Sequence, residues 1–173
     1  MSKTVRIVAC LTLIAGLCAA VLASVNRLTE GPVRESARAN EERAVRAVLP
    51  AGVATVVPKG DVFVGVDAAG RPIGYAAKGR DSKGYGGDIV LMVGFEKDRK
   101  TLVCYRTLEA SETPGLGMKL SSHEFAGQFR GKDALTLRLK ARGGEIEAIA
   151  SATITSKAVI RAIADAQGKL TET

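Results

Sequence analysis

The stretch "IVLMVGFEKDRKTLVCYRT", residues 89–107, places two apolar β-type segments on either side of a short polar turn. The segments are rich in Val, Leu and Phe, and the turn "EKDRK" is short enough to join neighbouring strands. Strands joined by so short a connection pair antiparallel. The stretch therefore predicts a hairpin within an antiparallel sheet.

Three more apolar segments extend this pattern toward the N-terminus. The stretches "AAGRP" and "GYGGD" supply turns between them, because Gly and Pro interrupt regular strands. A second hairpin is expected around "ARGGE", formed by residues 135–140 and 145–149. The strands predicted before it are 53–57, 62–67, 72–77, 89–95 and 101–107.

Two helices are predicted in the C-terminal half. Ser121 and the Glu three residues later have the spacing of a capping box, which favours a short helix there. A longer helix is predicted from about Ser156 to Gln167, with Gly168 as its stop. The fold class is therefore α+β, with one antiparallel sheet and flanking helices in a single domain.

The N-terminus contains 19 uncharged residues from Ile7 to Val25. At about 1.5 Å per residue, a helix of this length approaches the roughly 30 Å of bilayer hydrocarbon. We therefore predict a transmembrane anchor at residues 1–27. A cleaved signal peptide is the alternative, because Val21-Leu22-Ala23 resembles a small-residue cleavage site.

The segment after the anchor predicts an amphipathic linker helix at residues 28–50. Pro32 fits a first helical position, and Pro50 fits a stop. The remaining residues, 51–173, are predicted to form the domain. Basic residues precede the apolar run, which favours a cytoplasmic N-terminus and an exported domain.

Composition argues against several classes of function. The chain has a net charge of +7, but with three Tyr, four Phe and no Trp it lacks the aromatic side chains interleaved among basic residues that stack on bases, so nucleic-acid binding is not expected. His123 is the only histidine, which argues against a zinc site and leaves nucleophile–histidine catalysis only that one imidazole. Cys104 is the only cysteine outside the apolar run, so no disulfide is expected in the domain.

The stretch "AIASATITSKAVIRAI", residues 148–163, clusters hydroxyl side chains ahead of the last predicted helix. Ser156 or Thr155 alone suffices as N-cap, because one side-chain oxygen satisfies one free backbone N–H group. Thr153 is then left over. A phosphate is favoured near a helix N-terminus, where free N–H groups and the positive end of the dipole meet it. From these residues alone, a solvated capping loop is the alternative.

The stretch "IEAIASATITS", residues 146–156, resembles a flavin-attachment motif, a Ser/Thr-Gly-Ala-Thr run preceded by an acidic residue. It occurs in exported FMN-binding subunits of two related membrane complexes. These are the G subunit of the Rnf-type ferredoxin:NAD oxidoreductase and the C subunit of the sodium-translocating NADH:quinone reductase. In that family a flavin transferase esterifies the last Thr to the FMN phosphate, which implies Thr153 here.

This chain departs from the motif at Ala150, where Ser or Thr is usual, and at Ser151, where Gly is usual. Gly adopts positive φ without strain, whereas a side chain at this position would be strained if the loop required that conformation. Non-covalent FMN binding is therefore the alternative to covalent attachment through Thr153.

Two further stretches resemble the same family. "LEASETPGLGMK", residues 108–119, is similar to its Glu-Thr-Pro-Gly-Leu-Gly loop, and "KGYGGDIVLMVGF", residues 83–95, is similar to its Gly-Tyr-Gly-Gly segment. In the second stretch a tight strand connection is expected, with Tyr85 packed on the sheet. The FMN-binding residues that the resemblance implies are Thr153, Ser151, Ala152, Thr155, Glu112, Thr113, Gly115, Leu116 and Gly117.

The resemblance implies an electron-transfer subunit of a membrane-bound, ion-translocating oxidoreductase of the Rnf type, with FMN attached to Thr153. Its expected partners are the other membrane subunits and a flavin transferase, and its domain is expected outside the cytoplasmic membrane. The isolated chain is expected to have little activity, because it carries no dinucleotide-binding fingerprint. Two alternatives stay open: an exported binding module without a cofactor, and a stand-alone exported FMN-binding reductase domain.

Overall fold

The computed structural model describes residues 2–172 of the 173-residue chain. The chain divides into two compact units, Met1–Asn40 and Glu41–Thr173. The first unit is formed by helix α1, Lys3–Val48, whose last residues belong to the second unit. Among the described residues, α1 is the one helix long and apolar enough to cross a membrane, with a mean hydropathy of 2.5 over its apolar window.

Helix α1 is longer than the predicted linker helix, because it continues without a break from the apolar run. Pro32, expected at a first helical position, lies inside the helix. Since Pro has no N–H, the carbonyl of Leu28 loses its usual helical donor. The helix ends at Val48, so the predicted stop near Pro50 is confirmed.

The sheet has five strands that pair antiparallel in the order of the chain, which confirms the α+β class. Strands β3 and β5 run further than predicted, toward the loops that follow them. In the middle of the sheet, Tyr75 lies opposite Phe95 and Val93 lies opposite Tyr105. The strands are β1 Thr55–Lys59, β2 Val62–Val66, β3 Pro72–Asp81, β4 Ile89–Glu96 and β5 Leu102–Ala110.

Helix α2, His123–Gly127, follows a 3-10 helix at Gly117–Ser121. The predicted cap is wrong by one residue, because Ser122 rather than Ser121 accepts the hydrogen bond from the Phe125 N–H. Ser121 is instead the last residue of the 3-10 helix, and its hydroxyl hydrogen-bonds that of Thr107 at 2.8 Å.

The predicted second hairpin is also wrong. Leu139 and Ile146 form one parallel bridge around a short 3-10 helix, Lys140–Arg142. Gly143, at a φ of 75°, ends this 3-10 helix, and the side chains of Leu139 and Ile146 are both buried in the core instead of lying on an exposed ribbon. Burial of these two residues therefore outweighs the alternating pattern that suggested strands.

Helix α3, Thr153–Thr171, packs along one face of the sheet beside β3. A Cβ at Gly79 of β3 would lie 2.9 Å from the carbonyl carbon of Ala162, so only glycine permits this approach. Helix α3 is longer at both ends than predicted, and Gly168 lies inside it because the helix continues until Leu170 is buried. The end of α1 packs on the opposite face, against Ala76 and Met92.

Candidate functional site

A cavity of about 420 Å³ lies where three segments meet: the loop after β3, the loop after β5 and the start of α3. This volume falls within the range of about 300–1,000 Å³ that is usual for small-molecule sites. Its lining residues are Tyr85, Glu112, Thr113, Leu116, Gly117, Ser151, Ala152, Thr153, Ile154 and Thr155.

Thr153 is the first residue of α3, and its side chain is exposed on the cavity. The residue in the N-cap position is Ala152, which has no side-chain oxygen to offer the first turn. The leading N–H groups of a helix have no acceptor within the helix itself. This helix start therefore presents free donors and the positive end of a dipole to the cavity.

The predicted start of the helix at Ser156 is wrong, and so is the capping role given to the hydroxyls there. Ser156 is fully buried; its Oγ accepts a hydrogen bond from the Ile149 N–H and donates one to the Ala152 carbonyl, both at 2.9 Å. These bonds hold the turn that precedes the helix. Within that turn Ser151 has a φ of 61°, the strained conformation that sequence reasoning flagged for this position.

Glu112 is buried, with only 6% of its surface exposed, yet its carboxylate links all three segments. One oxygen accepts hydrogen bonds from the N–H groups of Tyr85 (2.9 Å) and Gly86 (3.4 Å). The other accepts the hydroxyl of Thr155 at 2.8 Å. All three partners are donors, so the carboxylate acts as an internal organiser of the cavity wall.

Glycines make room for this carboxylate. A Cβ at Gly117 would lie 2.7 Å from the Cβ of Glu112, and one at Gly84 would lie 2.7 Å from its Oε1. Neither distance is tolerable for a real side chain. Gly117 and Gly84 therefore let the backbone of the two loops close around Glu112.

Three exposed apolar side chains border the cavity: Tyr85 at 71%, Ile154 at 52% and Leu116 at 43% of their surface. The prediction that Tyr85 packs on the sheet is wrong, because the backbone of its loop is hydrogen-bonded to Glu112 and leaves the side chain exposed to solvent. Sequence reasoning also missed Ile154, although an isoleucine beside Thr153 in the first turn was a visible signal. At this cavity apolar side chains are exposed while the polar side chains of Glu112 and Thr155 are buried, which is the reverse of the arrangement in a folded core.

The structure brings eight of the nine predicted site residues to one cavity; of these nine, Gly115 alone is not in its lining. Gly115 has a φ of 77° and forms the turn that carries Leu116. Thr113 lies on the rim, and its carbonyl accepts hydrogen bonds from the Leu116 and Met118 N–H groups at 3.2 and 3.3 Å. Within residues 2–172, no group of His, Cys, Asp or Glu side chains is placed to hold a metal ion.

An ion pair ties the first loop to α3. Arg161 donates two hydrogen bonds to the Asp81 carboxylate, at 2.9 and 2.7 Å, and a third to the Lys83 carbonyl at 3.2 Å. The hydrogen bond from Arg161 holds the pKa of Asp81 below its usual range despite partial burial. The pair is therefore ionised at neutral pH and fixes the base of the loop that carries Tyr85.

The lining residues fit the two chemical parts of FMN. A phosphate matches the uncapped start of α3, since free N–H groups and a helix dipole favour an anion. A flat apolar ring matches the exposed surfaces of Tyr85, Leu116 and Ile154. The exposed Thr153 is the first residue of α3 and lines the same cavity as the three apolar side chains.

A family model described as "FMN-binding domain" matches residues 84–167, a range that contains every lining residue of the cavity. The fold agrees with solved structures as well. The C subunit of the Na(+)-translocating NADH-quinone reductase from Parabacteroides distasonis gives a TM-score of 0.52 at 24% identity, covering 63% of this chain and 60% of that one. The fold and the family model together define an FMN-binding domain.

Proteins with similar sequences define the family of this chain more narrowly. The chain is 30% identical over 169 residues to the G subunit of the ion-translocating oxidoreductase complex of Methanosarcina acetivorans, covering 91% of this chain and 89% of that protein. It is 31% identical to the G subunit of the Na(+)-translocating ferredoxin:NAD(+) oxidoreductase complex of Acetobacterium woodii, covering 86% and 83%. The chain belongs to this family of G subunits of ion-translocating oxidoreductase complexes.

Proposed function

We propose that this chain carries FMN esterified through its phosphate to Thr153 and relays electrons within a membrane-bound, ion-translocating oxidoreductase of the Rnf type. The observation that carries this proposal is an exposed threonine hydroxyl at the uncapped start of α3, on a cavity of ligand size. Its membership of the G-subunit family supports the electron-transfer role.

The attachment reaction is a phosphoryl transfer that changes no oxidation state. The Thr153 Oγ1 forms a bond to the FMN phosphorus, and the bond between that phosphorus and the leaving group of a flavin phosphoanhydride donor breaks. The hydroxyl proton passes to a base. The residues that line the cavity include no histidine, and the one carboxylate among them, Glu112, is already engaged by three donors. The base is therefore expected to come from the flavin transferase.

The residues around Thr153 then hold the product in place. The leading N–H groups of α3 stabilise the phosphate charge, and the β-branched Thr restricts rotation about χ1 of the tether. Leu116 and Ile154 supply apolar surface for the ring. Bound FMN supplies the redox chemistry, and the protein supplies orientation and surroundings.

The membrane anchor explains how such a domain stays in its complex. Residues 1–27 form the anchor, 28–50 the linker and 51–173 the FMN-binding domain in this proposal, with the domain on the outer side of the cytoplasmic membrane. An exported flavin carrier benefits from a covalent tether, because a lost cofactor could not be replaced there. Protease added outside the inner membrane should digest the domain, and complete protection would contradict this orientation.

The partners of the chain follow from the same proposal. Other membrane subunits supply and accept the electrons, so the isolated chain should show little turnover with NADH. Adding purified chain to NADH and an artificial acceptor measures this directly. Rapid turnover by the chain alone would favour the stand-alone reductase alternative.

The test of the attachment site compares two threonines on the same helix. Thr153→Val should abolish the flavin fluorescence that stays with the denatured protein on a gel, when the protein is expressed with the transferase. Thr171→Val is the matched control, because Thr171 is exposed at the far end of α3. Equal fluorescence in the Thr153→Val variant would overturn the attachment site, and flavin bound only to native protein would favour non-covalent binding.

A further inference from the structure

We propose that Tyr85 is a direct contact residue of the bound flavin ring and that Arg161 positions it by holding its loop against α3. This inference rests on the proposed function, because it concerns the same cavity. It adds one aromatic residue that was expected to pack elsewhere and one positioning residue that does not line the cavity.

The first observation is that Tyr85 combines a fixed backbone with a free side chain. Its N–H donates to the buried Glu112 carboxylate at 2.9 Å, yet 71% of its surface is exposed to solvent. An aromatic ring gains its stabilisation from burial and from contact with other groups. Residues 2–172 leave most of Tyr85 uncovered, so its ring is free to contact a ligand bound in the cavity that it lines.

The second observation is that two ion pairs brace the loop. Arg80 pairs with Asp88 where the loop begins and ends, and Arg161 binds Asp81 through Nε and Nη2. The Asp81 side chain is only 11% exposed, which makes this pair stiffer than an ordinary surface pair. Arg161 also donates a third hydrogen bond to the carbonyl of Lys83, which lies two residues before Tyr85 in the loop.

The third observation is that Arg161 and Thr153 belong to the same helix. They are eight residues apart, which corresponds to about 12 Å along the axis. Through Arg161, the loop with Tyr85 is fastened to the element that would carry the tether. These contacts join the loop that carries the Tyr85 ring to the helix that carries the tether, which is the arrangement needed to place a tethered flat ligand against an aromatic side chain.

Tyrosine suits this position better than an aliphatic residue. Its ring stacks on a flat conjugated ligand with little loss of side-chain entropy, since it has two rotatable bonds. A phenol ring in contact with an excited flavin also quenches its fluorescence by electron transfer. Contact between the two rings therefore has an optical signature that does not depend on catalytic activity.

The test measures flavin fluorescence of the full chain, loaded by the transferase, as the ratio of native to denatured signal. Denaturation separates the rings, so the ratio cancels differences in flavin content. Tyr85→Leu should raise the ratio several-fold, whereas Tyr85→Trp should keep it low. Leu135→Ala, an exposed apolar residue outside the cavity, is the control and should leave the ratio unchanged.

A second variant tests the positioning role. Arg161→Gln should raise the ratio part of the way, and Arg161→Lys should not restore it fully because an ammonium group cannot replace the forked contact. In the double variant with Tyr85→Leu, the ratio should rise no further than with Tyr85→Leu alone. A purely structural Arg161 would lower thermal stability and leave the ratio unmoved.

The outcomes separate this inference from the proposed function. Wild-type chain that carries flavin at Thr153, together with an unchanged ratio in Tyr85→Leu, overturns the contact and leaves the attachment site standing. Chain that carries no flavin at all contradicts the proposed function first. An additive rise in the double variant overturns the positioning role of Arg161 alone.

Discussion

The middle of helix α3 and its first turn are built in opposite ways. In the middle, Ala158, Val159, Ala162 and Ile163 are fully buried against the sheet, and their contacts are apolar. In the first turn, the buried groups are the hydroxyls of residues 155 and 156, while Thr153 and Ile154 face outward. The same helix therefore buries apolar side chains in its middle and polar side chains in its first turn.

The difference shows how stability and site geometry are divided along one element. Apolar burial has no direction, so the buried apolar side chains in the middle of α3 fix where the helix lies but not how a loop is oriented. Hydrogen bonds have direction, so Glu112, Thr155 and Ser156 fix how the loops meet at the helix start. The core supports the fold, and the polar cluster shapes the cavity.

The largest effect is expected when an isoleucine is truncated in each part of α3, which tests whether the two parts contribute differently to stability. Ile163→Ala should lower the free energy of unfolding by about 2–5 kcal/mol, because it leaves a cavity in the core. Ile154→Ala, on the exposed first turn, should change it by no more than about 0.5 kcal/mol. Chemical denaturation measures both, and similar losses would contradict the division.

The next largest effect is expected at the buried carboxylate. Glu112→Ala should cost about 2 kcal/mol, since it leaves the Tyr85 N–H and the Thr155 hydroxyl without their acceptor. Glu112→Gln should cost less, because one oxygen still accepts. The exposed Glu109 is the matched control, and a Glu109→Ala loss as large as that of Glu112→Ala would refute the organising role.

A smaller effect is expected from acid at the brace of the first loop. Because the pKa of Asp81 is lowered in the folded protein, its pair with Arg161 stabilises the fold at pH values above the unfolded pKa. That stability is lost as the pH falls through the lower, folded value. The wild type should therefore lose its advantage of about 1 kcal/mol over Asp81→Asn between about pH 5 and pH 2. Chemical denaturation over this range measures it, and a constant difference would contradict the assignment.

The smallest effect is expected at Ser151. Ser151→Gly removes the strain of a side chain at positive φ but adds disorder to the unfolded chain, so the net gain should be about 0.5 kcal/mol. Ser151→Ala keeps the strained φ and is the control, with no gain expected. A thermal melt that shows Ser151→Gly to be clearly less stable would mean that the hydroxyl itself holds the turn.

The sequence was sufficient for the sheet because its signal is local. Each apolar run of β1 to β5 is separated from the next by a Gly-rich or charged turn, and short connections leave antiparallel pairing as the simple solution. The prediction of the second hairpin was wrong because a local pattern does not show that Leu139 and Ile146 are both buried in the same core. Tertiary burial decided that segment.

The candidate site was predicted less completely, and for a similar reason. The stretches around Glu112 and Thr153 were identified by their motifs, but the carboxylate that connects them lies 41 residues from Thr153 in the chain. Its hydrogen-bond partners include two backbone N–H groups, which every residue except proline has and which a sequence pattern therefore cannot indicate. Tyr85 was misplaced because nothing local distinguishes an aromatic residue packed on a sheet from one held above it.

Mass spectrometry of the intact chain, purified from its native membrane and then digested, tests the central claim most directly. The account predicts a chain heavier by one esterified FMN, with the added mass on the peptide that contains Thr153. An unmodified Thr153 peptide in a chain taken from a working complex, or the FMN mass on another peptide, would contradict it.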